Sequence, residues 1–311
     1  MTRDAAFLFP GQLSEWVGMG RDFHTADPEA RELFERTSRR CARDLPRILF
    51  EGPEEDLHES LAAQSGVYLV SVLAARQLER QGVRPSAAAG YSLGNYAAMV
   101  SCGAISYDDA LEVLVAVWEE TERLGIRGTM GAVIGARRET VEEVCGRLRE
   151  RSLGVWIGNV NASTQFVLTG DEPAVTAALE ELRPRALSVL PLGMRWPIHS
   201  ERMRPVAAAI APLVASLPSV RAPRVPYYGP EGTRVESAEE IRRLLGEAFC
   251  FPTLWKDSFE AMVGAGHRLF FEAGPGEMLS RMARWIDRNA HCHPAGRLEE
   301  IVAAADIVRA P

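Results

Sequence analysis

Ser92 lies in Gly90-Tyr91-Ser92-Leu93-Gly94, a G-x-S-x-G run. The small-residue stretch Ala87-Ala88-Ala89-Gly90 leads into it, and helical spacing from Leu93 to Val100 follows. A strand that turns sharply into a helix holds a serine hydroxyl at the tip of the turn, and the flanking glycines let neighbouring backbone pass. The first amides of the helix then favour an oxyanion at the same spot. The chemistry implied is nucleophilic attack on an acyl group. Serine needs a base for this, and six histidines are available: His24, His58, His199, His267, His291 and His293. Position alone does not choose among them. His199, in Arg195-Trp196-Pro197-Ile198-His199-Ser200, has an apolar setting in which a packed core histidine is the plainer reading. His291-Cys292-His293 has metal-ligating residue types, but neighbours on a strand face opposite ways, so no metal site is expected.

The elements that must position Ser92 follow an α/β rhythm. Phe7-Leu8-Phe9 reads as a buried strand ended by Pro10-Gly11. Helical patterns run over Pro28–Cys41, Gln64–Gln81 and Tyr107–Arg123. Strands alternating with helices predict a parallel sheet. Between Gly125 and Met194 the order changes to strand (Met130–Ile134), helix (Glu139–Arg151), a strand pair (Val155–Val160, Phe166–Thr169), a helix opened by Asp171, and a strand (Ala186–Leu190). That β-α-β-β-α-β order is ferredoxin-like. We therefore expect a large α/β-hydrolase-like subdomain over 1–124 and 195–311, interrupted by a ferredoxin-like one over 125–194. The final third predicts helices and one clear strand, Arg268–Phe271, before Gly274-Pro275-Gly276.

Composition narrows the function classes. The 47% apolar share supplies a core, and a formal charge of −7 argues against nucleic acid. The longest near-apolar run, Gly66 to Ala75, is far short of the about 20 residues that span a bilayer. The stretch before Pro10 is too short for a signal-peptide core, so a cytoplasmic protein is expected, with no membrane partner. Five scattered cysteines without CxxC spacing read as buried free thiols.

Taken together, Phe9-Pro10-Gly11-Gln12, the Ser92 elbow, Asn159-Val160-Asn161-Ala162-Ser163-Thr164-Gln165-Phe166-Val167-Leu168-Thr169-Gly170, Ile198-His199-Ser200-Glu201-Arg202-Met203 and Phe271-Glu272-Ala273-Gly274-Pro275-Gly276 resemble, in order, the landmarks of the malonyl-CoA:acyl carrier protein transacylase family. The resemblance implies a ping-pong acyltransferase of polyketide or related biosynthesis. Ser92 would be the nucleophile and His199 its base, with the amides of Gln12 and Leu93 as oxyanion donors. The carbonyl of Ala248 would orient the imidazole. No bound cofactor is implied: substrates would arrive on the 4'-phosphopantetheine of an acyl carrier protein or of coenzyme A. Acidic carrier proteins need a local basic patch. Arg202, Arg204, Arg281, Arg284 and Arg297, with Met203, lie near motifs bordering the family's entrance, and Arg149 and Arg151 lie opposite on the small subdomain.

The departures bear on the cargo. Malonyl-specific members carry an arginine in the helix after the elbow, whose fork pairs the substrate carboxylate. Val117 aligns with it here, followed by Trp118, and no arginine occurs before Arg123. Tyr91 and Asn95 replace the family's elbow histidine and following glutamate, Leu13 stands where the family has glycine, and Trp196-Pro197-Ile198 precedes the histidine. A pocket of Tyr91, Asn95, Val117, Trp118, Trp196 and Ile198 suits an uncharged acyl group, such as an aminoacyl or short peptidyl unit. The alternatives are an editing thioester hydrolase of the same fold, a malonyl-type extender transacylase and a catalytically silent docking module.

Overall fold

The computed structural model describes residues 4–58 and 60–309. The expected outer limits of the large subdomain, 1 and 311, fall outside them. Strand β1 (Ala5–Phe9) is apolar and buried at all five positions, as a parallel strand covered on both faces must be. It runs parallel to β2 (Pro85–Gly90) on one side and β9 (Leu269–Glu272) on the other. β7 (Tyr227–Tyr228), β8 (Arg234–Val235) and β10 (His291–Pro294) complete a six-stranded sheet in the order β10-β9-β1-β2-β7-β8. Only the β7–β8 pair is antiparallel.

A second sheet, β4 (Val155–Ala162), β5 (Gln165–Gly170), β3 (Thr129–Ile134) and β6 (Ser188–Pro191) in that order, is antiparallel throughout. Two of the helices labelled below cover it: α5 (Arg138–Glu150) and α6 (Glu172–Leu182). Its core is separate, with Val133, Val141, Phe166, Leu168 and Val175 among its members. The remaining labelled helices are α1 (Pro28–Cys41), α2 (Ser60–Arg80), α3 (Gly94–Ser101), α4 (Tyr107–Arg123), α7 (Arg204–Ser216), α8 (Ala238–Glu247), α9 (Trp255–Gly264) and α10 (Met278–Ile286). Small residues let α2 bury every residue from Leu61 to Ala75. The chain is mixed α/β. No helix among the described residues is long and apolar enough to cross a membrane.

The expectation of one strand in the final third is corrected: β7, β8 and β10 join β9 there. The first two are two residues long, too short to leave a period in the sequence, and β10 is a polar edge strand ending in a proline. Among the described residues no group of three metal-ligating side chains occurs, at β10 or elsewhere.

β1 and β2 end side by side, Phe9 opposite Gly90, so the loops that leave them meet at one point. In open α/β sheets ligands bind beyond such strand ends. β9 contributes differently. The side chain of its last residue, Glu272, is fully buried and accepts the N–H of Leu279, the N–H of Ser280 and the Ser280 hydroxyl. It thereby caps the start of α10, where helix amides favour a carboxylate. Burial raises its pKa, against the pull of those hydrogen bonds. Glu272→Ala would strand three buried donors and should cost about 2–4 kcal/mol, read as a lower urea midpoint at unchanged slope.

Candidate active site

The turn from β2 into α3 places Ser92 at φ 52, the left-handed region a non-glycine residue rarely adopts. Strain of this kind persists where surrounding contacts over-determine it. Here they do. A Cβ on Gly90 would lie 2.2 Å from the Asn95 nitrogen, and one on Gly94 would lie 2.1 Å from the Phe9 carbonyl oxygen. Both glycines are therefore sterically required. The Asn95 side-chain amide donates to the Ser92 carbonyl at 2.9 Å, and its oxygen accepts the Tyr227 hydroxyl at 2.6 Å.

Ser92 Oγ stands 2.7 Å from His199 Nε2. On the far side of the ring, Nδ1 lies 3.2 Å from the Ala248 carbonyl and 3.1 Å from that of Phe251. Carbonyls only accept, so Nδ1 carries the proton and Nε2 presents its lone pair to the serine hydroxyl. His199 is itself at φ 66, with its N–H bonded to the Phe249 carbonyl at 2.8 Å. Burial pushes the imidazole pKa down to about 4, while the Phe251 and Ala248 carbonyls pull it back up. The resting ring is neutral, as a base must be.

The loop after β1 abuts the elbow: a Cβ on Gly11 would lie 2.8 Å from the Tyr91 carbonyl oxygen. Gln12 and Leu93 line the same chamber as Ser92. Among the described residues neither backbone N–H has a hydrogen-bond acceptor, which leaves both free to bind a developing oxyanion.

The chamber has a volume of about 230 Å³. Of the pocket residues expected from sequence, Tyr91, Asn95, Val117, Trp196 and Ile198 line it. Trp118 does not. One step along α4 rotates a side chain by about 100°, and this indole packs beneath Arg43 instead, its ring 5.9 Å from the guanidinium. Asn95 lines the wall, but its amide is committed to the elbow and Tyr227. Trp196 is held by a 3.1 Å hydrogen bond to Glu122.

The expected docking residues separate. Met203 is fully buried in the core under α7 and cannot meet a partner. Hydrophobic packing at the start of that helix explains why. Arg151, Arg202, Arg204, Arg281, Arg284 and Arg297 are exposed. Of these only Arg281 lines the outer groove that continues the chamber past Leu13, Asn161, Gln165 and Met278. Arg202 pairs with Asp171 at 3.0 Å, Arg297 stacks on Trp16 at 4.4 Å, and Arg284 lines a separate hollow with Arg288, His291 and His293.

Sequence reasoning missed several wall residues. Asn159 and Asn161 stand two apart on β4 and reach the chamber together with Gln165 from β5; alternation within that motif was the available signal. Tyr96 and Met99, three apart on α3, and Leu114, three before Val117 on α4, share a helix face that was the available signal; Met130, Met194 and Leu244 come from separate elements with no shared pattern. The Phe251 carbonyl gives no side-chain signal at all.

The acyl transferase domain family matches residues 6–247. The malonyl CoA-acyl carrier protein transacylase of Bacillus subtilis is 30% identical over 288 residues, 91% of this chain and 90% of that protein. A polyketide biosynthesis protein, ThaF, from Burkholderia thailandensis is 32% identical over 90% of this chain, which spans 24% of it. Among solved structures, the malonyl CoA-acyl carrier protein transacylase of Coxiella burnetii superposes with a TM-score of 0.91 at 28% identity, covering 100% of this chain and 99% of that one. A malonyl-transacylase solved with a type II polyketide acyl-carrier protein reaches 0.92 at 27% identity over 98% of this chain and 100% of that one.

The geometry makes a pH prediction. Only the neutral imidazole accepts the serine proton, so acylation fails as pH falls through the folded-state pKa. With that value near 4, kcat/KM for acylation should stay level from about pH 8 to about pH 5.5 and halve near pH 4. A free histidine would already have lost half its base near pH 6.5. Stopped-flow thiol release, with folding checked at each pH by circular dichroism, measures the limb.

Proposed function

The chain belongs to the acyl transferase family, and from that premise we propose that it moves an acyl unit without a carboxylate, aminoacyl (its amine entering in the neutral form) or short peptidyl, between phosphopantetheine thioesters. Donor and acceptor are acyl carrier proteins, or coenzyme A on one side, in polyketide-type biosynthesis. Ser92 Oγ gives its proton to His199 Nε2 and bonds to the thioester carbonyl carbon. The carbonyl oxygen takes up negative charge facing the Gln12 and Leu93 amides. As that charge returns, the carbon–sulfur bond breaks and His199 passes the proton to the departing thiolate. The second thiol reverses the steps and carries the acyl group away.

One observation carries the choice of cargo. Among the described residues no arginine, lysine, aspartate or glutamate lines the chamber; Val117 lines it where the family's arginine would stand, and Leu114, Tyr96, Met99 and Trp196 also line it. A malonyl carboxylate there would be desolvated without a partner, costing several kcal/mol. An amide-bearing unit is better served. The neutral amide side chains of Asn159, Asn161 and Gln165 line the chamber, and such groups carry both donors and acceptors for a substrate amide.

Intact-mass detection of the acyl-enzyme after mixing with a panel of acyl carrier proteins tests this. Aminoacyl or dipeptidyl donors should charge Ser92 at least about tenfold faster than malonyl donors, the discrimination expected of a buried unpaired charge. Val117→Arg should raise malonyl charging and lower charging by the uncharged units. Equal charging from malonyl-CoA by the unaltered enzyme would overturn the assignment.

A further inference from the structure

Leu13, beside the oxyanion amide of Gln12, sits at φ 75. It is a branched residue in a conformation that suits glycine. Its side chain is 47% exposed, so burial does not offset the strain. The side chain stands instead at the junction of the chamber and the outer groove, lining both. Something else must hold the loop in shape.

Two side chains do so, on consecutive peptide planes. The Ser14 hydroxyl donates to the Gly11 carbonyl at 2.6 Å. That carbonyl and the Gln12 N–H belong to one planar trans peptide and point in opposite directions. Holding the first therefore aims the second. The next plane is held by Glu15, whose Oε2 accepts the Leu13 N–H at 2.7 Å. The Glu15 side chain is only 1% exposed, and its other oxygen lies 3.1 Å from Nδ1 of the surface residue His58. A carboxylate this deep needs such partners.

We propose that Glu15, partnered by His58, and Ser14 are positioning residues for acyl transfer: together they lock the strained 11–13 loop so that the Gln12 N–H stays aimed at the oxyanion. The claim rests on the Ser92 acyl-enzyme reading. None of the three touches the reacting atoms. Their effect passes through one amide, so it falls on the chemical step rather than on substrate binding.

The experiment measures kcat and KM for acylation at Ser92 in the variants below, by intact mass and stopped-flow thiol release. Glu15→Ala should lower kcat about 10- to 100-fold, up to the lower end of the roughly 100- to 1,000-fold loss seen when an oxyanion donor is removed outright, with KM changed less than about twofold. Adding Leu13→Gly should restore most of that rate, because glycine adopts the positive φ without a brace. Glu15→Gln, which keeps an acceptor for the Leu13 N–H, should retain more activity than Glu15→Ala. Unchanged kcat in folded Glu15→Ala, or a loss that Leu13→Gly does not relieve, overturns the proposal. Should Glu15→Ala fail to fold, Ser14→Ala decides: a fall in kcat at constant KM supports the device and an unaltered kcat refutes it. Ser92→Ala separates the two levels, since an acyl-enzyme that still forms without Ser92 refutes the underlying reading, whereas its abolition alongside an unaltered Glu15→Ala refutes only the brace.

Discussion

The 2.7 Å contact between Ser92 Oγ and His199 Nε2 joins segments 107 positions apart, and much of the fold serves to keep it short. Two strained residues meet there, each in a left-handed backbone conformation. Each is clamped by backbone. Gly90 and Gly94 admit the strands and helix that press on Ser92, while the Phe249 carbonyl fixes the His199 main chain and two further carbonyls fix its ring. Carbonyls replace a triad carboxylate in orienting the imidazole. They stabilise a ring proton without adding a charge, so the depressed basicity produced by burial is only partly relieved.

The proposed cargo rests on the make-up of the same chamber. A carboxylate set against Val117 and Leu114 meets no cationic side chain among the described lining residues, so its desolvation goes uncompensated. On the proposed reading, selectivity against malonyl needs no repulsive residue. Absence of the pairing guanidinium, together with a wall supplied by α3, α4, α8 and the small sheet, is sufficient. The polar groups that do face the chamber, Asn159, Asn161, Gln165 and Gln64, are neutral and suit amides.

Much of this was legible in the sequence because it depends on residue type and local pattern. The strand–turn–helix around Ser92, the amphipathic helices and the β-α-β-β-α-β stretch all announce themselves through glycine placement and apolar period. What was not legible depends on geometry across elements. Trp118 looked like pocket because it adjoins Val117, yet one helical step carried it beneath Arg43. Met203 looked like surface because arginines flank it, yet it is the buried residue of its turn. β7 and β8 were too short to carry a period. Phe251 acts through a carbonyl, which every residue has.

The most direct test of the account is the reaction of the protein with a fluorophosphonate that labels activated serines irreversibly, followed by peptide mapping. If the imidazole activates the hydroxyl, label should accumulate on Ser92 alone, and His199→Ala should slow labelling by about a thousandfold or more, the scale of losing a catalytic base. Labelling at another serine, or at Ser92 with an undiminished rate in folded His199→Ala protein, would contradict it.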